Sequence, residues 1–360
     1  MLKQQKIFFD FLRFCIGSVE EIPESLNEAD WKELYVIAQK QALVGILFDG
    51  IQRLPSSDVG ISRDLLLQWM AQCKMLEKAN VRLNDAAIQV SEWFRKKGFR
   101  TYILKGQGNA LLYPNGLHRT PGDVDIWVEG GDKRVISFVR SISPHEKACY
   151  HHIEFPSYKG VEVEVHYRPS FLLCFWHNHR LQKYYERVKE EQFSHRVMLG
   201  KQGEIAIPTV EFNLIFQLTH IYAHLMNEGI GLRQLLDYYF VLLHADIKNV
   251  VELQRNLKHF GLWKFAGAIM YIMQEVFGMP ASRLIVPPNE KYGKFVLNEV
   301  LEAGNFGSYD KRNRFGKSQL GHNLQRVYRD IRLVRYFPAE ALSEPIFRVW
   351  HFFWRMKNKK

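Results

Sequence analysis

Cysteine is scarce and scattered. The four in the chain, Cys15, Cys73, Cys149 and Cys174, include no Cys-x-x-Cys pair, so neither a structural zinc site nor a disulfide framework is expected. No apolar run approaches the roughly 20 residues that a bilayer-spanning helix needs. Asp10 and Arg13 interrupt the stretch that would serve as the core of a secretion signal. There is no Gly-x-x-x-x-Gly-Lys-Ser/Thr phosphate loop and no His-Arg-Asp or Asp-Phe-Gly set of a protein kinase. Internal repeats and low-complexity linkers are missing too. These absences point to the cytoplasm and to chemistry built on other motifs.

Positive charge is plentiful but local. Of the formal net charge of +11, the last fifty-one residues, from Asp310 to Lys360, supply +9, with thirteen Lys/Arg against four Asp/Glu. A general attraction to nucleic acid is therefore not expected, and no aromatic platform for single strands is evident. A local attraction of the C-terminal end to anions is expected. Its last predicted helix, Ile346 to Lys357, gathers Phe347, Val349, Trp350, Phe353 and Trp354 among Arg348, Arg355 and Lys357. Two readings stand: a helix lying peripherally on an anionic membrane surface or other anionic partner, and a docking helix with a solvated basic tail.

The chain has 360 residues, enough for roughly two domains with real cores. A hydrophobic content of 47% and a charged content of 24% are those of a globular protein. Residues 32–54 and 64–96 carry apolar residues at three- and four-residue spacing, and Gly98 closes the second run. The period then changes. Strands are predicted at 101–104, 124–128, 149–155 and 161–167, and near 205–207. Helices are predicted at 107–113, 132–141 and 181–191. From Thr209 onward the pattern is helical again. The reading is an α+β chain with a helical region at 1–97, a small mixed α/β core at 98–208 and a helical domain with a basic tail at 209–360.

The chemistry concentrates in that core. Leu104-Lys105-Gly106-Gln107-Gly108 puts a glycine turn between a strand and a helix, and Gly122-Asp123-Val124-Asp125-Ile126 follows. Side chains alternate along a strand, so Asp123 and Asp125 share a face, about 6–7 Å apart. The strand at 161–167 presents Glu162, Glu164 and His166 on one face and Val161, Val163 and Val165 on the other. An exposed polar sheet face would explain that strand alone. With the two aspartates in the same sheet, however, converging carboxylates would repel one another unless a cation sits between them. Oxygen ligands of this kind suit Mg²⁺ or Mn²⁺.

The order of these elements resembles the nucleotidyltransferase superfamily that includes DNA polymerase β. It is more closely similar to an uncharacterised bacterial nucleotidyltransferase family. The shared elements are Leu104-Lys105-Gly106, Leu112-Tyr113-Pro114, Arg119-Thr120-Pro121-Gly122-Asp123-Val124-Asp125 and Glu164-Val165-His166. A helical part, His220-Ile221-Tyr222-Ala223-His224 with Leu232-Arg233-Gln234-Leu235-Leu236-Asp237, matches as well. The resemblance implies transfer of a nucleotide from a nucleoside triphosphate such as ATP to an acceptor hydroxyl, on a small molecule, a glycan or a protein. It implies that Asp123, Asp125 and Glu164 bind Mg²⁺ or Mn²⁺, with Glu162 the alternative third carboxylate. Lys105, Gly106, Gln107 and Arg119 would hold or neutralise the phosphates, the Gly106 and Gln107 N–H groups aided by the helix dipole.

One departure matters: the superfamily follows its glycine with Ser or a second Gly, and this chain has Gln107. A fold that binds nucleotide without turnover is the alternative. His166 is expected to orient Glu164 or simply to end its strand. His220 and His224 are spaced to share a metal, yet no third ligand is evident, so a core or substrate-contact role is expected. Arg233 and Asp237 read as a helix-surface pair by spacing, and as cleft residues by the resemblance.

Overall fold

The computed structural model describes residues 3–55, 60–200, 203–312, 315 and 319–358. Four helices come first: α1 (Lys3–Cys15), α2 (Trp31–Lys40), α3 (Val44–Gln52) and α4 (Arg63–Lys96). The α/β segment runs β1 (Thr101–Ile103), α5 (Gln107–Ala110), β2 (Val124–Val128), α6 (Gly131–Ile142), β3 (His152–Tyr158), β4 (Val161–His166), α7 (Phe175–Ser194), β5 (Arg196–Leu199) and β6 (Gly203–Ala206). Helices complete the chain: α8 (Val210–Asn227), α9 (Leu232–His244), α10 (Val250–His259), α11 (Trp263–Phe277), α12 (Glu290–Ala303), α13 (Gln319–Leu333) and α14 (Pro338–Lys357). The fold is α+β, a small mixed sheet flanked by helices.

The main sheet has strand order β1-β2-β4-β3. β1 is antiparallel to β2, β2 is parallel to β4, and β3 is antiparallel to β4. Alternation divides its faces cleanly. Val124, Ile126, Val128, Val161, Val163 and Val165 pack on Leu83, Ile88 and Phe94 of α4 and on Val135 and Val139 of α6. Tyr102 and Trp127 point the other way, into a larger core. That core joins Phe8 and Leu47 of the first helices to Phe216 and Phe265 of the last and to Phe337 just before α14, so both helical regions share one interior. The 34-residue α4, capped where Ser62 Oγ accepts from the Leu65 N–H, contributes to both cores. It is about 50 Å long, which ties the sheet to the helical body.

Several boundaries differ from the periodicity. The helical pattern over 32–54 is two helices, because Ala42 adopts φ 56° and breaks the chain between α2 and α3. The helix predicted at 107–113 ends after one turn at Ala110. Leu112 and Tyr113 follow in tight turns, with the Tyr113 hydroxyl drawn 2.6 Å from Asp237. The third strand starts at His152 rather than Cys149 and continues past Pro156. β3 is an edge strand, where proline removes no ladder bond the sheet depends on. α7 is longer than its pattern at both ends. β5, unread in the sequence, pairs with β6 in a separate two-stranded sheet. Among the described residues no helix is long and apolar enough to cross a membrane.

Candidate active site

The parallel register of β2 and β4 sets Asp125 beside Glu164 and Trp127 beside His166. The antiparallel register of β3 then sets His152 beside His166. Residues directly opposite in a ladder share a face, so one patch of the sheet gathers carboxylates and imidazoles. Asp123, Asp125 and Glu164 each offer an oxygen, all within 4.8 Å of one another. Glu162, the alternative third carboxylate, is exposed at the rim.

Each carboxylate has a different neighbourhood. Asp125 is buried, with Oδ1 2.9 Å from His166 Nε2 and Oδ2 3.1 Å from Lys105 Nζ. Burial works to raise its pKa, yet Lys105 and His166 hold it well below the usual carboxylate range. Asp123 lacks such partners: the Asp125 charge, and then burial, push it up to about 6. Glu164 Oε2 lies 3.3 Å from His152 Nδ1 and 3.4 Å from His166 Nε2. Burial would raise it, but the His166 hydrogen bond leads the effects that hold it low. His166 is pushed up to about 9 because its bonds to Asp125 and Glu164 outweigh burial. His152 falls to about 4 through burial and the nearby His166 charge. His166 thus bridges Asp125 and Glu164, rather than orienting Glu164 alone.

The Lys105–His220 contact, 3.2 Å between Nζ and Nε2, divides the cleft into two lobes. His220 accepts from the ammonium, and burial with that charge pushes its pKa well down. The narrower lobe, about 260 Å³, has Gly106, Arg119, Arg233 and Asp237 in its wall. The wider lobe, about 420 Å³, is lined by His151, His152, His166 and His224 with Glu164. Phe306 borders both. His220 and His224 meet edge to face, with ring centroids 4.3 Å apart and planes at 77°, and His224 Nδ1 pairs with Glu228. His220 lines both lobes and His224 the wider one.

Two expectations about phosphate contacts change. Arg119 is buried and clamps Asp237 with two bonds of 2.7 Å, Nε to Oδ1 and Nη2 to Oδ2. A guanidinium so engaged is a structural tie between the β1–β2 connection and α9, not a free phosphate ligand. Arg233 and Asp237 are buried, so they are no helix-surface pair. Arg233 stands 3.9 Å from Asp237 and 5.4 Å above the Phe306 ring, and its Nε has no hydrogen-bond partner. The second change concerns the glycine turn. Gly106 has φ 57° and ψ −106°, open to glycine alone. The following α5 has four residues, too short for a useful helix dipole. The Gln107 side chain donates to Asn84 Oδ1 of α4, away from both lobes.

His151, His152 and Phe306 escaped the sequence reading. Strand alternation carried one register further would have found His152, since it faces His166 across β3 and β4. His151, 3.0 Å from His152, comes with it. Phe306 follows α12 and has no motif around it.

The cleft combines converging carboxylates, a glycine turn and buried cations on a small mixed sheet, an arrangement suited to phosphate chemistry. Residues 27–278, most of the chain and every cleft residue but Phe306, match the family model described as uncharacterised nucleotidyltransferase, and the chain belongs to that family. No curated protein matches it. Among solved structures, it is similar to the crystal structure of an antigenic nucleotidyltransferase-like protein from Paracoccidioides brasiliensis. The identity is 14%, over 50% of this chain and 92% of that one, with a TM-score of 0.29.

Proposed function

We propose that the cleft transfers a nucleoside monophosphate from a nucleoside triphosphate to an acceptor hydroxyl, with Mg²⁺ or Mn²⁺ held by Asp123, Asp125 and Glu164. Membership of a nucleotidyltransferase family supports nucleotidyl transfer in general. The observation that carries the finer reading is the convergence of three carboxylates, one of them held at about 6 by its neighbour's charge. Such a cluster is relieved by a cation. The residues fit one: Asp125 Oδ2 is buried and has no hydrogen-bond partner, only the Lys105 ion pair. A bound cation pair would stabilise the charge that develops on the attacking and leaving oxygens. His152, kept neutral by burial and the nearby His166 charge, adds a nitrogen beside Glu164, a mixture that Mn²⁺ tolerates better than Mg²⁺.

The chain's own groups divide the remaining work. The narrower lobe takes the triphosphate, where the Gly106 backbone allows close approach and Lys105 supplies a point charge. Arg233, with its unused Nε, takes the phosphate role once expected of Arg119. Arg119 and Tyr113 instead fix Asp237 and so the wall on which Arg233 stands. The wider, histidine-lined lobe takes the acceptor. Glu164, held low by His166, is a better ligand than proton acceptor.

Binding without turnover is the second reading, favoured by Gln107 being turned into the body. Both are tested by thermal shift with ATP, GTP, CTP and UTP, each with Mg²⁺ or Mn²⁺, alongside pyrophosphate release, on wild type and Asp123→Asn. Transfer predicts a metal-dependent shift and pyrophosphate release for at least one nucleotide, both lost in the variant. A shift without release supports binding alone, and no shift with any nucleotide contradicts both.

A further inference from the structure

α14 is docked by one face and bare on the other. Phe347, Trp350 and His351 pack on Tyr150, whose N–H donates to His351 Nε2 at 3.1 Å. Trp354 rests against the sheet core, and the buried Glu340 carboxylate accepts from the Leu173 N–H at 2.6 Å. These contacts fix the orientation of the helix. At 100° per residue, Leu342, Ile346, Val349, Phe353 and Met356 fall in one line on the opposite side. All five are 54–64% exposed. Phe352, beside that line, is also more than half exposed. The neighbouring α13 repeats the pattern with Leu324, Val327 and Ile331. A soluble surface rarely leaves so many large apolar side chains in line without a partner.

Charge decides the partner. The stripe itself contains no charged residue, and the exposed Arg355 and Lys357 flank its C-terminal end. The last fifty-one residues carry a net +9. A second copy of this chain on the same face would set that charge against its equal. Nucleic acid would meet the cations but leave the apolar line in water. An anionic lipid surface satisfies both features, since apolar side chains enter the headgroup boundary while Arg and Lys meet the phosphates. We propose that the outer face of α14, assisted by α13, holds this protein peripherally on anionic membranes. The docking and the membrane readings of the helix then both apply, one to each face. α13 and α14 lie beyond the residues matched by the family model. Because Tyr150 adjoins His151 of the wider lobe, docking would place that lobe near the lipid.

The test is co-sedimentation of the full chain with vesicles of phosphatidylcholine alone or with 30% phosphatidylglycerol, at low and high salt. Wild type should pellet with the anionic vesicles only, and less at high salt. The double variant Ile346→Glu/Phe353→Glu should lower the bound fraction at least tenfold while keeping the wild-type melting temperature, as expected for side chains already in water. Arg355→Glu/Lys357→Glu, which leaves the stripe intact, should weaken binding and its salt dependence. No pelleting of wild type overturns the proposal, as does equal pelleting of the stripe variant. A wild-type dimer that the stripe variant converts to monomer overturns it in favour of a second copy.

Discussion

Replacing Asp123 by Asn should make the metal-free protein more stable while removing its response to metal. In the folded chain the Asp125 charge, with burial, lifts the Asp123 carboxyl from an ordinary 3.8 to about 6. At ~1.4 kcal/mol per tenfold change in proton affinity, keeping Asp123 ionised costs the fold about 3 kcal/mol. The sign follows from linkage. Below about pH 4 the carboxyl is neutral in both folded and unfolded chains and costs nothing. As pH climbs to 6 the unfolded chain gives up its proton while the folded site keeps it, so stability falls. Above pH 6 the loss is complete. The variant, lacking the charge, avoids this loss. At ~2 °C per kcal/mol for a chain of this size, its melting temperature in EDTA at pH 8 should exceed wild type by about 6 °C, and the gain should vanish by pH 4. Mn²⁺ should then raise wild type and leave the variant unmoved. A variant equal to or less stable than wild type in EDTA at pH 8 would refute the idea that these carboxylates are forced together.

Other expectations follow from the same contacts. Arg119→Ala leaves the buried Asp237 carboxylate with Tyr113 but without its clamp, and urea unfolding should show a loss of about 3–5 kcal/mol; Arg119→Met/Asp237→Leu together should cost less than that single change. Gly106→Ala forces an L side chain into φ 57°, ψ −106° and should cost about 1–3 kcal/mol, read as a lower urea midpoint. Mn²⁺ affinity, measured by calorimetry between pH 5 and 8, should fall as the pH drops through about 6, where Asp123 takes up its proton.

The sheet, its two faces and its carboxylates were legible because strand alternation is strict. Valines at 161, 163 and 165 demanded a buried face, and Asp125 and Glu164 had to share the other. α4 was legible because apolar residues recur at three- and four-residue spacing over 64–96 and Gly98 closes the helix, at φ 81°. What escaped depended on contacts distant in sequence. Whether Arg119 faces phosphate or Asp237 depends on where α9 packs, 118 residues away. His152 became visible only through the β3–β4 register, which periodicity does not supply. Ala42 carries no mark of the left-handed turn that splits the first helical run. The exposed stripe of α14 shows the limit of composition: its residues were read, but which of them docked and which stayed bare depended on Tyr150 and the sheet edge.

The central claim is a cation held by Asp123, Asp125 and Glu164, and calorimetric titration of Mn²⁺ tests it most directly. The variants of choice are Asp123→Asn, which unpairs no cation, and Glu162→Gln as the neighbouring-carboxylate control. Wild type and Glu162→Gln should bind alike and Asp123→Asn at least tenfold more weakly. Equal binding by wild type and Asp123→Asn would contradict the account.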